Sequence, residues 1–458
     1  MINELVDKNF EKSIEFLSDI ISVRSIGDDP CDGKPYGENC ALVLEKFLQK
    51  ADSEGFITRN IDNYAGSIEF NDKPVKLAVL CHLDVVPVNE EDWTHKPFCA
   101  EVDGDRIYGR GAIDNKGPAA AVLYALKAIK ESGTELTHNV RLIVGCDEER
   151  GSSDMEYYMS HEKMPELVFT PDGDYPVINI EKGMLRTEFT KNADLFPISG
   201  ISGGVVVNAV PPQAKAVIKG LFSDKIKSLP ESERISVSEA QGNTIVTYTG
   251  TAAHASTPQL GDNAITGLLD FLCKSGCTAV LGMSEQSADT LKFLHEHFVH
   301  SETDGKSLGI KASDEKSGAL TEVLSIISYK DNIINCKMDI RYPLCTTKES
   351  IKEKLLSLFE SGGFEMSVPF ENDPHYVDEN SEFIKTLLRV YHEQTGNDAY
   401  CKAIGGGTYV HDIPGGVAFG AEFPGDVNNM HGNDESITLE SLKLNTKIIA
   451  NAIYEICK

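Results

Sequence analysis

The chain has 458 residues, of which 41% are hydrophobic and 25% charged, a composition typical of a globular protein with room for two domains. Acidic residues outnumber basic ones by 71 to 43, and the net charge of −28 disfavours nucleic acid and anionic membranes as partners. The chain lacks an apolar run of about 18 residues, which argues against a transmembrane helix, and residues 1–20 form an amphipathic pattern unlike a signal peptide, so a cytoplasmic protein is expected.

Short apolar runs predict buried strands in the first part of the chain, at residues 75–81, 139–146 and 167–169. An Asp-Gly pair within residues 102–107 predicts a hairpin, and the alanine-rich segment 118–130 predicts a helix. Strands that alternate with helices in this way are typical of α/β proteins. We therefore predict a mostly parallel sheet with helices on both faces.

The sequence pattern changes between residues 184 and 378, where strands with alternating polarity and intervening helices are predicted at 244–249, 334–340, 263–273 and 348–360. The chain then resumes the earlier pattern, with a helix, a strand and a last helix predicted at 381–395, 416–420 and 438–456. These patterns predict an α+β lid domain, residues 184–378, inserted into a catalytic domain made of residues 1–183 and 379–458.

Side chains that can bind metal follow the predicted strands. His82 and Asp84 follow the first strand and, two residues apart, point the same way. Glu148 and Glu149 follow the second strand and Asp172 the third. Because ligands of open α/β sheets bind beyond the carboxyl ends of the strands, we expect these residues to lie together. Imidazole and carboxylate groups suit Zn²⁺ or Mn²⁺.

Two adjacent carboxylates can have different roles in a metallohydrolase. Glu148 and Glu149 face opposite ways, so one can bind metal while the other stays free as a general base. Asp172 is preferred to Asp174 as a ligand because it lies nearer the strand end. Asp114 lies between glycines that allow a close backbone approach, although it could instead cap a helix.

Each of these segments alone also fits a simpler explanation. The His82–Asp84 pair can be a hydrogen-bonded pair without metal, and the Asp-Glu-Glu-Arg segment can be an exposed acidic turn. His431 can be an ordinary loop histidine, and it is a candidate ligand only because the other candidate ligands occur in the same chain.

Candidate substrate-binding residues lie later in the chain. His254, within the predicted lid, could stabilise an oxyanion. Arg341 could bind a substrate carboxylate with two hydrogen bonds, or form a salt bridge at a strand end. Gly406 and Gly407 belong to a Gly-Gly-Gly-Thr segment that could bind a carboxylate through its backbone N–H groups, or could be an ordinary loop.

Three signatures occur in order: Cys-His-Leu-Asp-Val-Val-Pro from Cys81, Gly-Arg-Gly-Ala-Ile-Asp-Asn-Lys-Gly-Pro from Gly109, and Asp-Glu-Glu-Arg-Gly-Ser from Asp147. With them, almost the whole chain resembles the dinuclear zinc exopeptidase family of aminoacylases, carboxypeptidase G and peptidase V. Phe-Thr-Pro-Asp-Gly from Phe169 and Ile-Gly-Gly-Gly-Thr-Tyr from Ile404 resemble the peptidase V-type bacterial dipeptidases in particular.

The resemblance implies two divalent metal ions, Zn²⁺ or Mn²⁺, bridged by Asp114. His82 and Asp172 would complete one metal site, and Glu149 and His431 the other. The peptide bond between Asp114 and the following asparagine is expected to be cis.

The resemblance also implies the roles of residues that do not bind the metals. Glu148 would be the general base, and Asp84 would orient His82. His254 and Asn208 would bind the oxyanion. The free carboxylate of a dipeptide would bind Arg341.

The implied reaction is hydrolysis of dipeptides, with an unsubstituted N-terminus and a free C-terminal carboxylate, by a water that bridges the metals. The alternatives are an N-acyl-amino-acid amidohydrolase on the same scaffold and a non-catalytic binding protein, and the spare carboxylate of Glu148 argues against the latter. The chain departs from the family pattern at Val410 and His411, so the role of His411 stays open. The long lid implies a monomer in which His254 acts within its own chain.

Overall fold

The computed structural model describes residues 1–229 and 233–458. The chain folds into two compact units. The first unit comprises Met1–Ile180, Tyr376–Lys402 and Gly407–Lys458, and the second comprises Glu181–His375 and Ala403–Gly406. Residues 403–406 thus fold with the second unit, whereas the sequence-based division places them in the catalytic domain. In the described part of the chain, no helix combines the length and apolar character needed to cross a membrane.

The helices, in chain order, are α1 (Ile2–Ile21), α2 (Glu38–Ser53), α3 (Lys116–Glu131), α4 (Ser153–His161), α5 (Ser223–Lys227), α6 (Ala264–Lys274), α7 (Cys277–Val280), α8 (Glu285–His297), α9 (Lys348–Ser361), α10 (Glu382–Thr395) and α11 (Leu439–Cys457).

The strands are β1 (Ile57–Ile61), β2 (Ala65–Glu69), β3 (Val75–His82), β4 (Glu101–Asp103), β5 (Arg106–Tyr108), β6 (Asn139–Gly145), β7 (Leu167–Thr170), β8 (Val177–Glu181), β9 (Gly183–Asn192), β10 (Ile198–Gly203), β11 (Ala209–Val210), β12 (Gln213–Lys219), β13 (Ile235–Ala240), β14 (Asn243–Thr249), β15 (Ala253–His254), β16 (Ser313–Asp314), β17 (Gly318–Ala319), β18 (Thr321–Lys330), β19 (Ile333–Tyr342), β20 (Glu365–Asn372), β21 (His375–Tyr376), β22 (Cys401–Ile404), β23 (Gly416–Ala418) and β24 (Ser436–Thr438).

The main sheet of the first unit has the order β1-β2-β6-β3-β7-β23-β8-β21, and β22 also pairs with β8. Parallel pairing joins β6, β3, β7 and β23. Antiparallel pairing adds β2 and β1 on one side and β8 on the other. Because parallel strands end at the same edge of the sheet, this order brings the residues after β3, β6 and β7 together.

Both faces of this sheet are covered. Successive side chains of a strand point to opposite faces. In β3, Leu77, Val79 and Cys81 belong to the core that contains α1, α2, α3, α10 and α11. Ala78 and Leu80 belong to a smaller core that contains residues of α4. The predicted α/β fold class is therefore confirmed.

The second unit is built on a sheet of order β13-β14-β12-β10-β18-β19-β9-β20. Its neighbouring strands pair antiparallel. Apolar residues of α6, α8 and α9, such as Leu268, Leu291 and Leu355, share one core with the inward side chains of the sheet. This arrangement has the α+β character that the alternating segments predict.

Candidate metal centre

His82 is the last residue of β3, and its imidazole is fully buried. Its Nε2 lies 2.9 Å from Oδ1 of Asp114 and 3.5 Å from Oδ2 of Asp172. Its Nδ1 lies 3.1 Å from the main-chain oxygen and 3.3 Å from Oδ1 of Asp84. A ring whose Nδ1–H is held in this way leaves Nε2 free to bind a metal ion.

Asp114 lies between the two candidate histidines. Its Oδ1 lies 2.9 Å from Nε2 of His82, and its Oδ2 lies 2.8 Å from Nε2 of His431. The same nitrogen of His431 lies 3.3 Å from Oε1 of Glu149. One carboxylate that offers an oxygen to each of two ligand groups has the disposition of a bridge between two ions.

The candidate ligands form two overlapping groups. Within the described residues, ligand atoms of two triplets lie within 4.8 Å of one another, namely His82 with Asp114 and Glu149, and His82 with Glu148 and Asp172. The peptide bond Asp114–Asn115 is cis, as the resemblance implies. Asn115 is buried, and its Nδ2 donates to Oδ1 of Asp172 at 2.9 Å and to the carbonyl of Pro171 at 3.0 Å, which fixes that carboxylate.

Asp84 connects two of the strand ends. Besides its contacts to His82, its carboxylate accepts the backbone N–H groups of Glu148 at 3.3 Å and Glu149 at 3.1 Å. These two glutamates begin a single 3-10 turn two residues after the end of β6. A single buried carboxylate therefore fixes both the orientation of the His82 ring and the position of the turn that carries Glu148 and Glu149.

The charges of the site fit divalent cations. Burial raises the pKa of Glu148, Glu149 and Asp172, and for Glu148 the charges of neighbouring carboxylates raise the pKa further. Burial opposes the charge of Asp114 as well, but hydrogen bonds from His431 and His82 outweigh burial and lower its pKa. Oε1 of Glu149 is buried and forms no well-directed hydrogen bond with the described residues, although Nε2 of His431 lies 3.3 Å away. Several carboxylates buried close together require positive charge nearby to offset their own. Carboxylate oxygens and two imidazole nitrogens together form a set of donor atoms that suits divalent ions.

A buried ion pair that the sequence does not predict lies beside this cluster. Glu435 is fully buried, and its Oε2 accepts from Nη1 of Arg110 at 2.6 Å. Nη2 of Arg110 donates to the carbonyl of His431 at 3.2 Å. Oε1 of Glu435 accepts three backbone N–H groups at 3.0 to 3.2 Å, from Gly111, Ile113 and Asp114. The pair thus joins the loop of Asp114 to the loop of His431.

A second buried residue that the sequence does not predict supports the turn that carries Glu148 and Glu149. Asp154 of α4 is fully buried, and its Oδ2 accepts the N–H groups of Cys146 at 2.6 Å and Asp147 at 2.9 Å. The same oxygen accepts the hydroxyl of Tyr409. These bonds hold the backbone that leads to Glu148. The sequence carries no local pattern that distinguishes Asp154 from an exposed residue of a helix.

The second unit brings His254 and Asn208 together. β15 pairs with β11, and the carbonyl of Asn208 accepts the N–H of Ala255 at 2.9 Å. Nδ1 of His254 accepts the N–H of Ser256 at 3.2 Å and lies 2.7 Å from its hydroxyl. Because Nδ1 accepts, the ring proton resides on Nε2, which makes Nε2 a hydrogen-bond donor.

Arg341 is buried at the end of β19. Its Nε and Nη2 donate to the two carboxylate oxygens of Asp339, and its Nη1 donates to the carbonyl of Gly405 at 2.7 Å. The salt bridge that was an alternative for Arg341 is therefore present. These bonds use three of the five guanidinium N–H groups, and a carboxylate ligand would need the other two. Gly406 follows in the same unit, and Gly407 begins the last segment of the first unit.

The similarity to known proteins extends over nearly the whole chain. The model of a protein family described as Peptidase family M20/M25/M40 matches residues 78–455. The YtjP protein of Bacillus subtilis (strain 168) is 34% identical over 465 residues, which cover 98% of each chain. The Beta-Ala-Xaa dipeptidase of Lactobacillus delbrueckii subsp. lactis is 33% identical over 473 residues, covering 99% of this chain and 98% of the other.

Solved structures show the same fold at low sequence identity. Human carnosine dipeptidase 1 matches with a TM-score of 0.60 and 12% identity, covering 100% of this chain and 98% of that one. The aminoacylhistidine dipeptidase of Vibrio alginolyticus matches with a TM-score of 0.58 and 15% identity, covering 97% and 96%.

Proposed function

The chain belongs to peptidase family M20/M25/M40 and is a hydrolase, and from this premise we propose that it cleaves dipeptides with a free N-terminal amine and a free C-terminal carboxylate. The observation that carries the proposal is the position of Asp114, with one oxygen 2.9 Å from His82 and the other 2.8 Å from His431. The Beta-Ala-Xaa dipeptidase, 33% identical over nearly the full length of both chains, supports the substrate class.

We propose that the cluster holds two divalent ions, Zn²⁺ or Mn²⁺. Asp114 would bridge them, with His82 and Asp172 on one ion and Glu149 and His431 on the other. Bound there, such ions polarise a substrate carbonyl and acidify water.

Glu148 is proposed to move the proton. Burial raises its pKa above that of an exposed glutamate, which makes its carboxylate a stronger base. It would take a proton from the attacking water and give it to the leaving amine. Because Glu148 also lies within reach of His82 and Asp172, its role as base and a role as ligand need to be separated by experiment.

The second unit is proposed to bind the substrate. Nε2–H of His254 would donate to the developing oxyanion together with Asn208. The two remaining N–H groups of Arg341 would bind the C-terminal carboxylate, with backbone N–H groups of Gly406 and Gly407. We propose that the protein does this as a monomer, with His254 acting in its own chain.

The test is reconstitution of metal-stripped protein with Zn²⁺ or Mn²⁺, followed by assay against a panel of substrates. The panel contains an α-dipeptide, a β-alanyl dipeptide, the N-acetylated α-dipeptide and an N-acetyl amino acid. Metal-dependent cleavage of the free dipeptides, with at least a hundredfold lower rate on both acetylated compounds, is expected. Preferential cleavage of the N-acetyl amino acid would establish the amidohydrolase alternative instead.

A further inference from the structure

A cavity of about 370 Å³ lies within the second unit, next to the loop that carries His254. The ends of this loop are paired, because Thr251 and Asp262 exchange backbone hydrogen bonds of 3.0 and 2.9 Å. Pro258, Gly261 and Asp262 of the loop line the cavity. The volume lies in the range of cavities that bind small molecules.

Glu322 on β18 also lines the cavity and is only 6% exposed. Its Oε1 is buried and finds no hydrogen-bond donor within residues 1–229 and 233–458. Burial raises the pKa of Glu322 to about 8, and the charges of Glu302 and Asp304 contribute to the shift. A buried carboxyl oxygen without a donor is costly, so the side chain is set up to accept a hydrogen bond from a ligand.

Two other polar groups of the cavity, Arg234 and His300, have partners. Nε of Arg234 binds Oδ2 of Asp262 at 2.9 Å. The ring nitrogens of His300 lie 3.0 Å from the hydroxyl of Thr266 and 3.2 Å from that of Tyr248. Glu322 differs from these two groups, because one of its buried oxygens has no hydrogen bond.

The lining favours an organic cation. Acidic side chains outnumber basic ones around the cavity, with Asp262, Glu302 and Glu322 against Arg234 and His300. Apolar side chains complete the wall, including Val210, Phe298 and Leu324. In the part of the chain that the structure describes, both triplets of side chains that could hold a metal ion contain His82 of the first unit, which argues against a metal ion here.

We propose that this cavity binds a small organic molecule with a primary ammonium group, which donates to Glu322 while its apolar part contacts Phe298 and Leu324. This site goes beyond the proposed dipeptidase function and does not depend on it. An occupant would contact the same loop that carries His254, so its binding would restrict that loop.

The proposal is tested at pH 9, above the pKa of about 8 that burial gives Glu322, by isothermal titration calorimetry with n-butylammonium chloride, with 1-butanol as the uncharged analogue. Wild-type protein should bind n-butylammonium and not 1-butanol. Glu322→Gln keeps the size of the side chain and should raise the Kd at least tenfold. Glu353→Gln changes an exposed glutamate of the same unit and should leave the Kd unchanged. Equal Kd values for the wild type and Glu322→Gln, or no heat with the wild type, would overturn the proposal.

Hydrogen exchange of the wild-type protein provides a test that needs no variant. Saturating n-butylammonium should slow exchange of the backbone N–H groups in residues 259–262 at least twofold, and 1-butanol should not. Unchanged exchange there would overturn the proposal even if Glu322→Gln failed to fold. Neither measurement uses peptide hydrolysis, so the outcome is independent of the dipeptidase assay.

Discussion

Glu435 accepts the backbone N–H of Asp114 at 3.2 Å, although the two residues are 321 positions apart in the chain. The other oxygen of Glu435 binds Arg110, which in turn donates to the carbonyl of His431. The position of the proposed bridging carboxylate and that of a proposed ligand on the second ion therefore depend on one buried ion pair.

Glu435→Gln should weaken metal binding about 10- to 100-fold, as is usual when a residue that supports a ligand is lost. It should also lower the free energy of unfolding by about 3 kcal/mol or more, because Arg110 would keep a buried charge without its partner. Metal affinity can be measured by competition with a chelator, and stability by urea denaturation. Glu440→Gln, at an exposed glutamate, is the matched control. Unchanged metal affinity would contradict the supporting role of Glu435.

Glu148→Gln should retain both ions and lose at least a hundredfold in kcat, because the amide cannot accept a proton. Metal content by mass spectrometry and initial rates on a dipeptide measure the two effects separately. Glu156→Gln, at an exposed position of α4, should match the wild type in both. A loss of metal in Glu148→Gln would make Glu148 a ligand, and more than a tenth of the wild-type rate would refute its role as base.

Arg341→Lys should raise KM for a dipeptide at least tenfold, because lysine cannot reproduce the planar fork of donors. The matched comparison is the same dipeptide with a C-terminal amide. The wild type should prefer the free acid strongly, and the variant should have lost most of that preference. If the ratio of kcat/KM between acid and amide stayed the same in the variant, Arg341 would not bind the substrate carboxylate.

Glu322 should make the protein less stable as the pH rises. Its pKa is about 8 in the folded protein against an ordinary value of 4.5, so the folded state binds the extra proton between these values. The contribution of Glu322 to the free energy of unfolding is fully present below about pH 4.5 and is lost as the pH rises through 8. The wild type should therefore lose stability relative to Glu322→Gln between pH 5 and 9, on the order of a few kcal/mol. The titratable neighbours Arg234, Asp262, His300, Glu302 and Asp304 are common to both proteins. Parallel curves of Tm against pH for the two proteins would refute this prediction.

The strands that carry the candidate ligands could be predicted closely from the sequence. The run at 75–81 corresponds to Val75–His82, and the run at 139–146 to Asn139–Gly145. Both are short apolar segments that end at polar residues, so the local pattern contains the necessary information. The resemblance then supplied the roles of His82, Asp114 and the other ligands, which stay predictions until they are tested.

The buried residues that hold the candidate ligands in position could not be predicted in this way. Arg110 and Glu435 are 325 positions apart, and Asp154 and Tyr409 are 255 apart. An acidic residue in a polar stretch such as Asn-Asp-Glu indicates an exposed loop, whereas Glu435 is fully buried. Its burial depends on tertiary packing, and a single sequence contains no local sign of it.

The place of β23 in the sheet has a consequence for synthesis of the protein. Gly416–Ala418 lies between β7 and β8, which precede it by more than 230 residues, and pairs with both. During translation the middle of this sheet therefore stays open while the whole second unit emerges from the ribosome. His431 and Glu435 emerge later still, so the nascent chain can acquire its full set of proposed ligands only near the end of translation. Until then, β7 and β8 have an unpaired edge that a chaperone, or a neighbouring nascent chain, could occupy.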